Sequence, residues 1–599
     1  ADVLDGGIGQ DWAYFDDIAV SGVNIVLVTG SSGTANITGY TTTLIGIEHI
    51  KATALADIIK GDDNTNSILA GSGNDTIFAS KGGDYIDGGE GSDLLDFSAT
   101  ISADSVLPYS GIKVDLGQTG TQRVHDYYGD MTILGIENIQ GSNLNDYIKG
   151  NGQNNTLWGG AGDDVLDGVS ANNILVGGIG SDTFRGGVGD NIIYGEGYAT
   201  LGGAGEETAY EQTNSRDLID FSNAGVSVTL NLSNSTTINY FNGTTLSLEA
   251  QTSIGYGKNK IYNVEDALGG SGADTLIGSN IANIIDGGAN NDIIFGFGGT
   301  GNTLIGGTGN DTIMGLLGGD KIYGGTFDGT TATKAGNDWV DYSYITDTRA
   351  INVDLGATSN QVSEIGIPTN ADILTHIENV VGTKNNDILK GDNDFNIVNS
   401  LLGYKGDDSF IVSKGKDYID GGDGFNTMDY SSVNMTYGGN RVVVDLGLEK
   451  ALDNGYQNLN VAVEDILKNI QRVIGTSADD TLYGSSYSNV FIGGAGNDYL
   501  DGGTNTDSSL ENDWVYYSSA TSTGVTVDLT KTSAQTISAT EGNDTLLNIE
   551  NILGSDFGDT LIGNEFNNTL DGGKGDDTLK GNAGNDSFIG GEGLDTVDY

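Results

Sequence analysis

The chain of 599 residues has no cysteine, two prolines and three histidines, and it is poor in basic side chains: 25 Lys and Arg stand against 83 Asp and Glu, a net charge of −58. Without cysteine no disulfide and no thiolate metal site can form, and three histidines argue against zinc. The charge excludes a nucleic-acid backbone as partner, because phosphates are repelled, and disfavours anionic membrane surfaces. No stretch approaches ~18 uninterrupted apolar residues, so no membrane-spanning helix is expected. The opening Ala1-Asp2-Val3-Leu4-Asp5 lacks the basic start and apolar core of a Sec-type signal peptide.

What the chain has instead is glycine, 97 residues of it, against an average of roughly 7%. High charge and glycine usually mean disorder, but here the apolar residues recur at a fixed spacing. Asp57, Asn66, Asp75, Asp84 and Asp93 are nine apart, each followed two places on by an aliphatic: Ile59, Ile68, Ile77, Ile86 and Leu95. Five more ladders follow: Asp146, Asn155, Asp164, Asn173, Asp182 and Asn191; Asp274, Asn283 and Asp292, then after a slip Asp311 and Asp320; Asp387 and Asn396, then after a longer gap Asp408, Asp417 and Asn426; Asp480, Asn489 and Asp498; and Asp559, Asn568, Asp577, Asp586 and Asp595. Asp11 ends a similar motif at the start of the chain, Leu4-Asp5-Gly6-Gly7-Ile8-Gly9-Gln10-Asp11.

A triplet such as Thr76-Ile77-Phe78 is too short for a helix and suits a short strand. Nine residues then make half a coil, one strand and one turn, and two nonads close a flattened coil that stacks on the next at about 4.8 Å. One inward aliphatic per nonad gives a core too thin to offset chain entropy alone. The turns must be held by something, and they carry carboxylates. Calcium fits, since it accepts 6–8 oxygen ligands in flexible geometry, backbone carbonyls included, whereas magnesium demands a tight octahedron. The candidate ligands are the Asp residues of the ladders, from Asp11 to Asp595.

Gly572-Gly573-Lys574-Gly575-Asp576-Asp577, Gly493-Gly494-Ala495-Gly496-Asn497-Asp498 and Gly306-Gly307-Thr308-Gly309-Asn310-Asp311 resemble the GGxGxDxUx nonapeptide of RTX proteins, a Ca²⁺-binding parallel β-helix repeat. The resemblance implies an extracellular protein, exported by type I secretion, that folds on meeting millimolar Ca²⁺. Asn stands for Asp at Asn66, Asn155, Asn173, Asn283, Asn396, Asn489 and Asn568. It recurs at the second rung of each ladder, which reads as a cap rather than decay.

Between ladders lies a second unit. A closing phrase, Leu95-Asp96-Phe97-Ser98 or Val340-Asp341-Tyr342-Ser343, leads to an alternating strand, Ile112-Lys113-Val114-Asp115-Leu116 or Val525-Thr526-Val527-Asp528-Leu529, and a re-entry phrase, Ile136-Glu137-Asn138-Ile139 or Ile549-Glu550-Asn551-Ile552. Period-two alternation predicts strands with one buried face, read as hairpins or small sheets packed beside the roll. The expected architecture is all-β, a parallel Ca²⁺ β-roll in about six tandem modules. Rolls fall at 57–98, 146–222, 274–343, 387–431, 480–518 and 559–599, excursions at 15–56, 99–145, 223–273, 344–386, 432–479 and 519–558, and the end of a preceding ladder at 1–14. The closing aromatic falls at Phe97, Phe221, Tyr342, Tyr430, Tyr517 and Tyr599, and both prolines, Pro108 and Pro368, lie in excursions. Because the chain opens and ends inside a motif, a segment of a longer array, or a subunit whose ends continue into a neighbour, is expected.

Catalytic motifs fail. There is no His-Glu-x-x-His, no Gly-x-Ser-x-Gly and no P-loop. Gly296-Phe297-Gly298-Gly299-Thr300-Gly301 matches GxGxxG, but without a βαβ unit around it. His49 and His376 sit in re-entry phrases and read as packing residues. Trp12, Trp339 and Trp514 each follow an Asp and read as core or cap packing, with carbohydrate stacking as the alternative. The function expected is a Ca²⁺-binding structural protein of the bacterial cell exterior: a surface layer, a filament or an adhesin stalk, able to dock copies of itself, not an enzyme, with a glycan receptor unsupported. The alternative is the repeat region of a secreted enzyme or toxin whose active domain lies outside these residues.

Overall fold

In a computed structural model the described residues form short strands and turns, with no helix. They are 2–598 without 104–108, 197–214, 236, 241–243, 248, 317, 346, 359–360, 366, 395, 433–440, 454–462, 504–511 and 521; Pro108 and Tyr599 therefore lie outside them. The chain falls into two compact units, one of Ala1–Ile238, Leu246–Gly299 and Thr303–Thr308, the other of Asn239–Thr245, Thr300–Asn302 and Gly309–Tyr599.

The nonapeptide dictates the local structure. In Thr76–Phe78 the central Ile77 is buried and its neighbours are half-exposed, as alternation on a strand requires. Strands pair in parallel at a separation of two nonads. Ile59 stands opposite Ile77 and Ile77 opposite Leu95 on one wall; Ile50, Ile68 and Ile86 align on the other. Two nonads thus close one coil, and the core is a file of fully buried aliphatics between the walls, with Phe184, Phe410 and Phe491 among them.

The excursions correct one expectation. They do contain hairpins, but most of their strands are rungs of the roll rather than a sheet beside it; Thr237–Tyr240 and Thr244–Ser247 form a separate two-stranded sheet. Leu94–Asp96, the last strand before the 99–145 excursion, pairs directly with Asn138–Gln140 of the re-entry phrase, so this wall passes the excursion unbroken. On the other wall Gly129–Leu134 lies in parallel on Tyr85–Glu90 and antiparallel to Gln122–His125. Lys113–Asp115 pairs with Tyr147–Lys149 and opens the wall of the next ladder. The same plan recurs in the second unit around Ile351–Asp354, Val442–Asp445 and Thr526–Asp528. A hairpin beside the roll would leave backbone groups of both unpaired, whereas joining the walls pairs them.

Two ladders are spaced differently from the nine-residue reading. In the third, the slip is a single inserted residue: Asn302 is buried as a rung, and its N–H donates to Asp320 Oδ1 at 2.7 Å. In the fourth, Asn396 is an exposed turn residue bonded to Asp394. Asn399 is the buried rung, donating to Asp417 Oδ1 at 2.9 Å.

Candidate metal centre

Each rung is tied to the one a coil earlier by a side chain. The Asp57 N–H donates to Asp75 Oδ1 at 2.7 Å, and Asp75 N–H to Asp93 Oδ1 at 2.7 Å. The relay continues from Asp146 to Asp164 to Asp182 at 2.7 and 2.8 Å, from Asp274 to Asp292 at 2.6 Å, and from Asp387 to Asp408, Asp480 to Asp498 and Asp559 to Asp577 at 2.7–2.8 Å. Asp311 and Asp320 donate to Asp338 and Asp372. Fixing Oδ1 aims Oδ2 into the glycine turn. A Cβ on Gly159 would lie 2.2 Å from Asp164 Oδ2 and 2.7 Å from the carbonyl oxygen of Gly177, one coil on. Only glycine leaves that space open, and two oxygens face it.

What meets Oδ2 divides the predicted ligands. At the first rung of every ladder both oxygens are taken. Asp57 Oδ1 accepts the Val23 N–H at 2.6 Å, and Oδ2 the Thr53 N–H at 2.7 Å, with the Thr53 hydroxyl at 3.0 Å from each. Asp146, Asp387, Asp480 and Asp559 repeat this with Ser142, Thr383, Thr476 and Ser555; Asp274 uses the Gly270 and Val228 N–H groups. Asp84 and Asp417 receive serine hydroxyls, from Ser80 at 2.8 Å and Ser413 at 2.6 Å. By contrast, Oδ2 of Asp11, Asp75, Asp93, Asp164, Asp182, Asp320, Asp408, Asp498 and Asp577 is buried with no hydrogen-bond partner. Asp586 and Asp595, nearest the chain end, accept N–H groups from Asn568 and Asp577 at 3.0 and 3.2 Å, with Oδ2 over Gly581 and Gly590.

The electrostatics follow. Burial, with neighbouring carboxylates adding to it, pushes Asp164 and Asp498 up to about 9; burial likewise raises Asp408 to about 8, and Asp75, Asp182 and Asp320 to about 7. These groups lack a positive charge.

The second-rung asparagines are satisfied without one. Asn155 Oδ1 accepts the Asn151 N–H at 2.9 Å, while its Nδ2 donates to the Glu137 carbonyl at 2.9 Å. Asn66, Asn399 and Asn568 do the same toward Glu48, Glu378 and Glu550 at 3.0, 2.7 and 2.7 Å. The re-entry glutamates continue the relay: Oε2 of Glu48, Glu137, Glu378 and Glu550 accepts the N–H of Asp11, Asp93, Asp338 and Asp513 at 2.8–3.0 Å.

Sequence reasoning missed six aspartate rungs. Asp217, Asp338 and Asp513 precede closing phrases, in the position that Asp93 holds, and accept from Asp182, Asp311 and Asn489. That analogy was available in the sequence. Asp372, Asp465 and Asp544 lie on re-entry strands and accept from Asp320, Asp417 and Asp498; no nine-residue spacing marks them. Two histidines have structural partners: Nδ1 of His49 accepts the Ser67 N–H at 3.0 Å, and Nδ1 of His125 that of Tyr127 at 2.9 Å.

The donors in the open turns are carboxylate and carbonyl oxygens, a set that suits calcium and not a transition metal. Among the described residues no three His, Cys, Asp or Glu side chains gather into one cluster, so carbonyls must complete any coordination shell. These features define a calcium β-roll. The family model of the RTX calcium-binding nonapeptide repeat matches residues 46–95, 140–175, 167–197, 268–296, 297–330, 395–428, 474–508, 553–588 and 562–597, a little under half of the chain. The matched segments are RTX repeats, and these bind Ca²⁺. No curated protein matches its sequence.

Proposed function

We propose that the chain is a calcium-folded structural protein of the bacterial cell exterior, serving in a surface layer, a filament or an adhesin stalk, with no catalytic activity of its own. The observation that carries this is the file of buried, partnerless Oδ2 atoms in both units. Where calcium is scarce, these carboxylates and the net charge of −58 oppose compaction. Where it is abundant, ions bridging adjacent coils stabilise the folded form alone, by RT ln(1 + [L]/Kd) per independent site. That coupling suits export followed by folding outside. The structural reading is supported by the use the chain makes of its excursions, most of whose described strands are spent on the roll's walls.

The test is a Ca²⁺ titration of chelator-treated protein, followed by far-UV circular dichroism and light scattering together. A coil-to-strand transition accompanied by polymers supports the surface-structure reading. The same transition with a compact monomer favours a repeat region serving another domain. No transition at all overturns calcium-coupled folding.

A further inference from the structure

The re-entry points share a backbone frame that is repeated six times. In each, the carbonyl of the rung just before the closing phrase receives two consecutive N–H groups: Asp11 from Glu48 and His49, Asp93 from Glu137 and Asn138, Asp217 from Glu265 and Asp266, Asp338 from Glu378 and Asn379, Asn426 from Gln471 and Arg472, Asp513 from Glu550 and Asn551. In each, the residue two before the Glu or Gln is left-handed, with φ between 50° and 57°: Gly46, Gly135, Asn263, His376, Asn469 and Asn548. That turn aims its carbonyl into the glycine cradle. A Cβ on Gly88 would lie 2.1 Å from the Gly135 oxygen and 2.6 Å from Asp93 Oδ2; one on Gly324 would lie 2.2 Å from the His376 oxygen and 2.5 Å from Asp338 Oδ2.

With the frame constant, the chemistry varies. At the fifth junction the acids are replaced together: Asn426 stands for Asp and Gln471 for Glu, and the Asn426 amide donates to the Asn469 carbonyl at 3.0 Å. At the fourth, Asp338 and Glu378 are kept and a lysine is supplied to the glutamate alone: Lys334 Nζ is 2.8 Å from Glu378 Oε1, while Asp338 Oδ2, held over Gly324, is buried with no hydrogen-bond partner. At the first two no cation of the chain is bonded to either acid in the described contacts, and Oδ2 of Asp11 and of Asp93 is buried without a hydrogen-bond partner, Asp93 being fully buried.

We propose that four of the six junctions are versions of one cation site: a bound Ca²⁺ fills it at Asp11–Glu48 and Asp93–Glu137, the Lys334 ammonium takes its glutamate side at Asp338–Glu378, and an amide N–H fills it at Asn426–Gln471. The metal-filled junctions differ from the repeat turns in offering two carboxylates and a carbonyl turned inward by a left-handed residue. The amide junction is permanently closed and holds its coils together without calcium, and the lysine junction has one of its two carboxylates neutralised by the chain itself. The inference rests on the calcium-roll reading, and its test separates the two.

The test uses the full chain with Trp12, Trp158 and Trp514 changed to Phe, leaving Trp339 beside Asp338 as the only tryptophan, and Tb³⁺ as the probe. Lys334→Met should open a metal site, raising Trp-sensitised Tb³⁺ emission at least twofold at saturation. Adding Glu378→Gln should return the emission to the parent level. Should Lys334→Met fold poorly, Asn426→Asp/Gln471→Glu in the unaltered chain should gain one bound ion by equilibrium dialysis. Unchanged emission in a folded Lys334→Met chain, or unchanged stoichiometry in the double variant, overturns the proposal. Loss of calcium-dependent folding in the parent would instead overturn the roll reading.

Discussion

The ladder from Asp146 carries acids along one edge and amides along the other. One edge runs Asp146, Asp164, Asp182, Asp217; the other runs Asn155, Asn173, Asn191, Asn259, and each rung takes the N–H of the rung before it in the same way. The edges differ in what the second polar atom does. Asn173 Nδ2 donates to the carbonyls of Gly168 and Ser170 at 3.0 Å, and Asn191 Nδ2 to Gly189 at 3.2 Å. On the acid edge Oδ2 of Asp164 and of Asp182 sits over the equivalent glycine with nothing to accept from. An amide supplies the positive end that the turn's carbonyls need; a carboxylate offers one more oxygen and leaves that need for a cation. One edge is therefore complete as translated, and the other waits for its solvent.

The largest break in that symmetry should come from removing calcium at alkaline pH. Asp164 is raised to about 9, Asp408 to about 8 and Asp182 to about 7 from an ordinary value of 3.8. The folded metal-free chain thus holds more protons than the unfolded chain across that window. Stability from this source is complete below about pH 4 and is lost as pH rises through about 7 to 9. In chelator the strand signal should survive at pH 5 and disappear by pH 9, and Ca²⁺ should restore it at pH 9. A chelated chain equally folded at both pH values would show that the acid edge is not charged against itself.

Next in size is a charge placed on the amide edge. Asn173→Asp buries an acid against carbonyls now held by N–H groups and should cost about 3–5 kcal/mol in chelator, as an uncompensated buried charge does. Urea unfolding should show Ca²⁺ recovering part of this, because the glycine turn is already in place. The converse, Asp164→Asn, should stabilise the chelated chain by about 1–3 kcal/mol, the cost of an unsatisfied buried group, and lower the bound Ca²⁺. A loss of stability in chelator would mean that Asp164 is not the strained partner.

The walls and the acid edge were legible in the sequence because the nonapeptide is local: one turn, one aliphatic and one Asp appear every nine residues. The first rungs were read as ligands because their neighbours are not local. Thr53 lies four residues before Asp57, but Val23 arrives from 34 residues away, and only the folded excursion shows that Asp57 has no oxygen left over. Asn396 falls on the nine-residue spacing, whereas a turn three residues longer moves the rung to Asn399, with no change in the chemistry of either residue. Asp372 and Asp544 escaped for the opposite reason. They stand on alternating strands, where an inward polar residue carries no period of its own.

Those two aspartates give the smallest and most local test of how the roll completes its oxygens without metal. Tyr342 Oη donates to Asp372 Oδ2 at 3.0 Å and Tyr517 Oη to Asp544 Oδ2 at 2.9 Å, all four side chains being buried. Where the closing aromatic is Phe, the re-entry position is not acidic: Phe97 goes with Met131 and Phe221 with Asn259. The hydroxyl and the acid come and go together, as expected if the phenol takes the place of a cation at Oδ2. Tyr517→Phe should therefore cost about 1–3 kcal/mol, leaving a buried carboxylate oxygen without a donor. Tyr517→Phe with Asp544→Asn should recover most of it, since the amide keeps an acceptor for the Asp498 N–H. Strict additivity of the two changes in urea unfolding would show that the hydroxyl and the acid are not coupled, and would leave this oxygen to a metal like its neighbours on the acid edge.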